Sequence, residues 1–244
     1  MLITGASRGI GAEIARMAAR NGYQVGVNYN RSREEAHTLV DEIRDAGGSA
    51  VALQADVGHR DQVMRLFNEL DKAYGRLDVL VNNAGVLANF RVDESTETNV
   101  TTVFRANVFS MYFCSREGVR RMSTRYGNKG GSIVNMSSVA SRLGGLAGGA
   151  AYAASKGAVD TFTLALAKEV GPEGIRVNAL RPGLIATDIH DAHGGVERMQ
   201  AMAKSVVPMG RSGTAAEVAE AVIWLASDAA SYVHGAVLDV AGGR

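Results

Sequence analysis

The 244-residue chain predicts a three-layer α/β architecture, a doubly wound parallel sheet of about seven strands with helices on both faces. Three observations carry that expectation. Short apolar, β-branched runs alternate with longer stretches of helical period, the breaks between them hold helix-stop and turn chemistry, and a glycine-rich turn follows the first run and opens the first helix. At 46% hydrophobic residues the chain can bury a sizeable core, which excludes wholesale disorder. A net charge of +1 argues against a dedicated nucleic-acid binder, which needs basic surface to neutralise phosphates. The single cysteine excludes an internal disulfide and points to a reducing compartment.

Runs at 2–4, 24–29, 50–55, 79–81, 132–136, 176–180 and 237–240 read as strands. Stretches at 10–20, 33–45, 63–74, 100–125, 153–169 and 215–227 read as helices. The first strand is short, a start either unusually tight or lacking a few native residues. Asn21-Gly22, Gly47-Gly48 and Gly171-Pro172 end helices, and Ser32 with Glu35 reads as a capping box opening the second. No repeat, low-complexity tract or linker interrupts this order, so one domain over 1–244 is expected, with a substrate loop at roughly 184–212. The N-terminus lacks the pattern of a secretory signal, and the longest uncharged stretch, 143–155, is too short to span a membrane. A soluble, cytoplasmic protein with no membrane partner is expected.

Twenty-nine glycines stand beside three prolines, and part of that excess sits where chemistry asks for it. The stretch Thr4-Gly5-Ala6-Ser7-Arg8-Gly9-Ile10-Gly11 lies between the first strand and the first helix. Its Gly-x-x-x-Gly-x-Gly spacing lets the backbone turn sharply, lets phosphate approach the helix N-terminus, and lets helix pack closely on strand. It lacks the Gly-Lys-Ser/Thr ending of a triphosphate loop, which disfavours phosphoryl transfer. Alone it reads equally as a structural turn. The residues after the other strands, however, are Asn30, Asp56, Asn82-Asn83-Ala84-Gly85, Ser137-Ser138 and Pro182-Gly183. A parallel sheet delivers all of them to its carboxyl edge, where open α/β sheets bind ligands.

With Asn107, the pair Tyr152 and Lys156, and Thr187, these motifs fall in an order that resembles the short-chain dehydrogenase/reductase family over essentially the full length. Among its members the chain is similar to the glucose 1-dehydrogenase-like and 3-oxoacyl-carrier-protein reductase-like groups. The resemblance implies a Rossmann fold, a small-molecule substrate, a homotetramer, and hydride transfer between a nicotinamide and a carbonyl/secondary-alcohol pair. It assigns Asn107, Ser138, Tyr152 and Lys156 to catalysis. To the cofactor it assigns Gly5, Ser7, Arg8, Gly9, Ile10, Asn30, Arg31, Asp56, Val57, Asn83, Ala84, Gly85, Tyr152, Lys156, Pro182, Gly183 and Thr187.

Tyr152 and Lys156 lie four apart at the start of a helical pattern and share one face. A free phenol titrates near 10, and a neighbouring ammonium favours phenolate, a shift of two to three units corresponding to about 3–4 kcal/mol. On that basis a lowered Tyr152 is expected, acting as general acid for carbonyl reduction or base for alcohol oxidation. Ser138 ends the fifth strand, where its hydroxyl can hold a substrate carbonyl oxygen. It precedes Tyr152 by 14 residues, one more than the family's usual spacing; the extra residue is expected within 143–151, and Ser137 remains a second candidate. By resemblance Asn107 orders a water-linked proton path through Lys156, whose ammonium binds the nicotinamide ribose; from the residues alone Asn107 reads as well as a helix-bending group bonded to a backbone carbonyl. No Gly-x-Ser-x-Gly elbow supports a serine hydrolase.

The second strand ends Asn28-Tyr29-Asn30-Arg31, without the acid that would bind both ribose hydroxyls of NAD. Arg31 and Arg8 suit a 2′-phosphate, so NADP(H) is expected, with NAD as the alternative. By resemblance Asp56 and Val57 flank adenine. His190 and His193, near Asp188 and Asp191, have no third neutral ligand at zinc spacing, so no metal is expected. Met199, Met202 and Met209 read as pocket lining or as ordinary core. Arg116, Arg120, Arg121, Arg125 and Lys129 oppose Glu117 on a basic stretch that reads as a solvated face or subunit interface, with an acyl-carrier-protein dock as the alternative. The competing function is a catalytically inactive NADP-sensing regulator, which predicts loss of the catalytic residues; all are present.

Overall fold

A computed structural model describes residues 1–187 and 195–244. In chain order the elements are β1 (Leu2–Ile3), α1 (Gly9–Arg20), β2 (Gln24–Tyr29), α2 (Arg33–Asp45), β3 (Ser49–Gln54), α3 (Arg60–Tyr74), β4 (Val79–Asn82), α4 (Glu97–Phe104), α5 (Ser110–Met122), β5 (Gly131–Met136), α6 (Ala140–Leu143), α7 (Ala150–Val170), β6 (Ile175–Pro182), β7 (Ile185–Ala186), α8 (Gly195–Val206), β8 (Gly213–Thr214), α9 (Ala215–Ala226) and β9 (Val237–Val240). Seven strands form one parallel sheet in the order β3-β2-β1-β4-β5-β6-β9, the Rossmann arrangement. The order reverses between β1 and β4, which opens a crevice beyond their carboxyl ends.

Strands covered on both faces must be apolar on both, which is why the runs look continuous rather than alternating. Successive side chains nonetheless enter different cores. Ile3, Val79 and Val81 join Ile14, Leu39 and Val222 under α1, α2 and α9. Leu2 and Leu80 join Leu66, Phe67, Cys114 and Met122 under α3 and α5. Each such buried side chain contributes about 1.5–3 kcal/mol of transfer free energy. A polar ladder crosses the sheet's interior: Asn82 Nδ2 donates to Asn135 Oδ1 at 2.8 Å, and Asn135 Nδ2 donates to Thr163 Oγ1 at 2.9 Å, tying β4 and β5 to α7.

The structure departs from the sequence reading in several places. Ser32 makes no capping hydrogen bond, so the expected box with Glu35 is absent; α2 opens instead with Glu34 and Glu35 in its first turn, placed to complement the helix dipole. Capping boxes stand at Thr96 with Asn99 and at Thr214 with Glu217. The helix expected over 100–125 begins earlier, at Glu97, passes through a π turn at Arg105–Phe109 and ends at Met122. α7 starts at Ala150, earlier than the expected 153, which puts Tyr152 in its first turn. α6 and the β7–β8 pair are too short to announce themselves by periodicity, whereas α8, twelve residues long, is not among the helices expected. Among the described residues no helix is long and apolar enough to cross a membrane.

Candidate active site

The glycine turn is clipped to the sheet from two sides. Thr4 Oγ1 accepts the amides of Asn83 and Ala84, each at 3.0 Å, and Asn83 Nδ2 donates to the carbonyls of Thr4 and Gly5, each at 2.9 Å. On the other side Asn28 Oδ1 accepts the Gly5 amide at 3.1 Å, while Asn28 Nδ2 donates to the Leu53 and Ala55 carbonyls. Gly5 sits at φ +60°, and a Cβ there would lie 2.9 Å from Ala84 Cα, so no other residue fits both the turn and the close approach. The turn then enters α1 at Arg8, which provides no side-chain cap, and the first turn of α1 has no acidic residue. Uncapped amides at a helix start are an anion site in waiting.

β5 and α7 bring the catalytic candidates together. Ser138 follows β5, and its hydroxyl stands beside the Tyr152 phenol, on which it acts, and accepts the Ala140 amide at 3.1 Å. Ser137 is turned away: it is buried, and its Oγ donates to the Lys156 carbonyl at 3.1 Å. Lys156 is buried, donates from Nζ to the Met136 carbonyl at 2.8 Å, and lies 5.7 Å from the Tyr152 ring centre. Asn107 sits in the π turn, where Nδ2 donates to Val86 O and Ser155 Oγ and Oδ1 accepts the Val86 amide at 2.7 Å. It is therefore the backbone-bound residue in a distorted helical turn that one reading expected, and a neighbour of α7 at once. A Cβ on Gly85 would lie 3.1 Å from Asn107 Oδ1 and 3.5 Å from Lys156 Nζ, so the glycine leaves both groups open to the cleft.

One expectation is overturned. Tyr152 titrates above its ordinary value, not below it: burial raises the phenol more than the Ser138 hydrogen bond lowers it. Lys156 itself is pushed down to about 8 by burial, against the opposing charge of Asp160. The phenol is thus fully protonated at neutral pH, the form that can give a proton away.

A cleft of about 1500 Å³ runs along the carboxyl edge. It is lined by Gly5, Ser7, Arg8, Gly9 and Ile10, by Asn30 and Arg31, by Asp56 and Val57, and by Asn83, Ala84 and Gly85. Ser138, Tyr152, Lys156, Pro182, Gly183 and Thr187 complete that wall. Every cofactor residue read from the sequence therefore faces one space. Arg8 and Arg31 are exposed there and form no ion pair among the described residues. Asp56 spends one oxygen on its own turn, accepting the Gly58 amide at 2.9 Å.

Sequence reading quoted Thr4 and Asn28 within its motifs but gave neither a role, and it missed the far wall made by Val86, Leu87, Leu143, Leu146 and Ala147. Met199 and Met202 join that wall, whereas Met209 is exposed and borders a separate cavity of about 240 Å³. His190 and His193 lie outside the described residues, and no metal-competent cluster occurs among those described. The basic stretch on α5 is largely matched: Arg116 pairs with Glu117, Arg121 with Glu117 and Asp71, and Arg125 with Glu173.

The chain was compared with known proteins. Residues 5–244 match the family profile described as enoyl-(acyl carrier protein) reductase. The chain is 47% identical over 244 residues to the uncharacterized oxidoreductase YgfF of Escherichia coli K12, covering 100% of this chain and 98% of that one. It is 38% identical to the versicolorin reductase stcU of Emericella nidulans, over 99% of this chain and 94% of the relative. A short chain dehydrogenase of Burkholderia cenocepacia solved in complex with NADP superposes with a TM-score of 0.90 at 33% identity, covering 99% of this chain and 96% of that one. Fold, motif order and relatives agree: the chain is an oxidoreductase belonging to the short-chain dehydrogenase/reductase family.

Proposed function

We propose that the protein is an NADP(H)-preferring oxidoreductase that interconverts a carbonyl and a secondary alcohol. The observation that carries this reading is the meeting, in one cleft, of the uncapped α1 amides, two arginines without an ion pair among the described residues, and the Ser138–Tyr152–Lys156 group. The cradle fits a dinucleotide: Gly5 brings backbone where phosphate can approach, Arg8 and Arg31 suit a 2′-phosphate bidentately, and Asp56 with Val57 flanks the adenine end. When bound, the nicotinamide supplies the hydride.

The chain's own residues do the rest. The Ser138 hydroxyl holds the carbonyl oxygen of the substrate beside the Tyr152 phenol. In the reducing direction Tyr152 gives its proton to that oxygen as hydride reaches the carbon; in the oxidising direction it takes the proton back. Lys156, charged below about pH 8, would hold the nicotinamide ribose, and Asn107, anchored to Val86 and Ser155, would order the water-linked path by which Tyr152 regains its proton. The apolar far wall excludes water and receives a small molecule.

Four exposed aromatic side chains, Phe109 at the end of the π turn, Tyr112 on α5, Trp224 on α9 and Tyr232 before β9, support the homotetramer, since contact between subunits would cover apolar surface of this kind. The test is a parallel assay of NADPH and NADH with β-ketoacyl thioesters, sugars, quinones, steroids and simple aldehydes. Faster turnover with NADPH on at least one carbonyl is expected; no turnover with any pairing overturns the reading.

A further inference from the structure

A line of alternating charges runs behind the catalytic helix. Asp160 lies one turn after Lys156 on α7, and both side chains are buried. Asp160 Oδ2 accepts Arg181 Nε and Nη2, each at 2.9 Å, from β6. Arg181 Nη1 reaches Asp239 of β9 at 3.4 Å, Asp239 meets Arg142 of α6 at 3.1 Å, and Arg142 Nη2 donates to the Arg244 carbonyl at 2.7 Å. Lys156, Asp160, Arg181, Asp239 and Arg142 thus alternate in sign across α7, β6, β9 and α6. The outer pairs are exposed and contribute little; the Asp160–Arg181 pair is the shielded one.

The arrangement holds more acid than Arg181 needs. Arg181 already has Asp239, and Asp160 Oδ1 is buried without any hydrogen-bond partner. A buried carboxylate costs free energy unless its charge is matched, and Lys156, one turn earlier on α7, is the one buried side-chain cation outside an ion pair among the described residues, its Nζ more than 4 Å from the Asp160 oxygens. Among the described residues the other elements packed on α7 offer that ammonium no ion pair. From α4 and the π turn, Glu97 and Arg105 are exposed; β5 presents only the Met136 carbonyl; Arg176 of β6 is tied to the Leu225 and Ser227 carbonyls at the opposite edge. From α7 itself, Tyr152 is a protonated phenol.

We propose that Asp160 is a positioning residue for Lys156: anchored by Arg181 one turn behind the ammonium that the Met136 carbonyl holds, its carboxylate favours the charged form of that buried group under the active site. The role rests on the reading of Lys156 as the lysine that serves cofactor and tyrosine. Without Asp160, burial acts on Lys156 unopposed and the ammonium gives up its proton at lower pH.

The chain has five lysines, so carbon-13 labelling at lysine Cε yields few signals, and Lys156→Arg identifies the one that matters. In the wild type that signal should titrate near 8; in Asp160→Asn its proton affinity should fall about tenfold, one pH unit, while Asp160→Glu restores it. If Asp160→Asn does not fold, the double variant Asp160→Asn/Arg181→Gln removes both charges of the pair, and its titration should still lie below that of the wild type. In parallel, the alkaline limb of NADPH-dependent menadione reduction should move down with the NMR titration. A Lys156 titration unchanged in whichever of these variants folds would overturn the proposal. A wild type that titrates as stated but reduces no carbonyl would instead overturn the functional reading and leave the electrostatic one standing.

Discussion

Lys156 concentrates the site's electrostatics in a single side chain. Its folded-state value near 8 lies below the ordinary 10.5, so between those values the unfolded chain holds more protons than the folded one. Stability from this residue therefore rises as pH climbs from about 8 toward 10.5, and below 8 its burial costs about 3 kcal/mol. Lys156→Met should remove that alkaline gain, seen as a smaller difference between urea unfolding free energies at pH 7.5 and at pH 9.5 (both roughly bracketing the lower end of the window). Gly9 gives a second residue-scale prediction. At φ +56° with nothing closer than 3.6 Å to an added Cβ, Gly9→Ala should cost about 1–2 kcal/mol of backbone strain and weaken NADPH binding. Fluorescence titration against thermal unfolding separates the two effects. At this scale the motif residues were legible because turns and catalytic pairs keep fixed spacings. Thr4, Asn28 and Asp160 were not, since a polar residue in an apolar run or on a helix face looks alike whether or not it has a partner. The direction of the Tyr152 shift was hidden for a related reason: spacing reports a neighbouring charge but not burial, and burial wins here.

The elements carry the site through their ends. Tyr152 reaches Ser138 because α7 begins at Ala150, and Asn107 meets Val86 and Ser155 because the helix widens into a π turn at Arg105–Phe109. Such widening often marks function, and no periodicity of the sequence announced it. Capping was only half legible. Ser32 has the right residue types around it but makes no cap, whereas Thr214 with Glu217 closes a full box. Thr214→Val should cost about 1 kcal/mol of stability by denaturant unfolding. Glu217, held near 2 by Arg211 and the Thr214 amide, is lowered from 4.5, so its contribution is complete above 4.5 and fades as pH falls toward 2. The Thr214→Val deficit should therefore shrink in acid.

At the scale of the molecule, strand order decides the rest. Reversal between β1 and β4 leaves a crevice that collects every strand end, so residues scattered from Gly5 to Thr187 face one cleft. That convergence was legible, since strand and helix alternate clearly and a parallel sheet has one carboxyl edge. The apolar far wall was not, because it comes from loops and from α8, whose order in space no local pattern encodes. Two whole-molecule outcomes follow. Light scattering should give a solution mass of four 25.6 kDa chains, and Trp224→Glu should lower it. Arg31→Ala should raise the KM for NADPH roughly 10–100-fold through loss of a charge-assisted contact worth about 1.5–3 kcal/mol, and leave that for NADH nearly unchanged.

The central claim is that Tyr152, protonated by virtue of its burial, delivers the proton of an NADPH-dependent carbonyl reduction. Tyr152→Phe keeps the ring and removes only the hydroxyl. On any ketone the wild type reduces, steady-state NADPH oxidation by this variant should fall by about 10²–10⁴-fold, while NADPH binding measured by fluorescence stays at the wild-type level. Turnover by Tyr152→Phe at the wild-type rate would contradict the account.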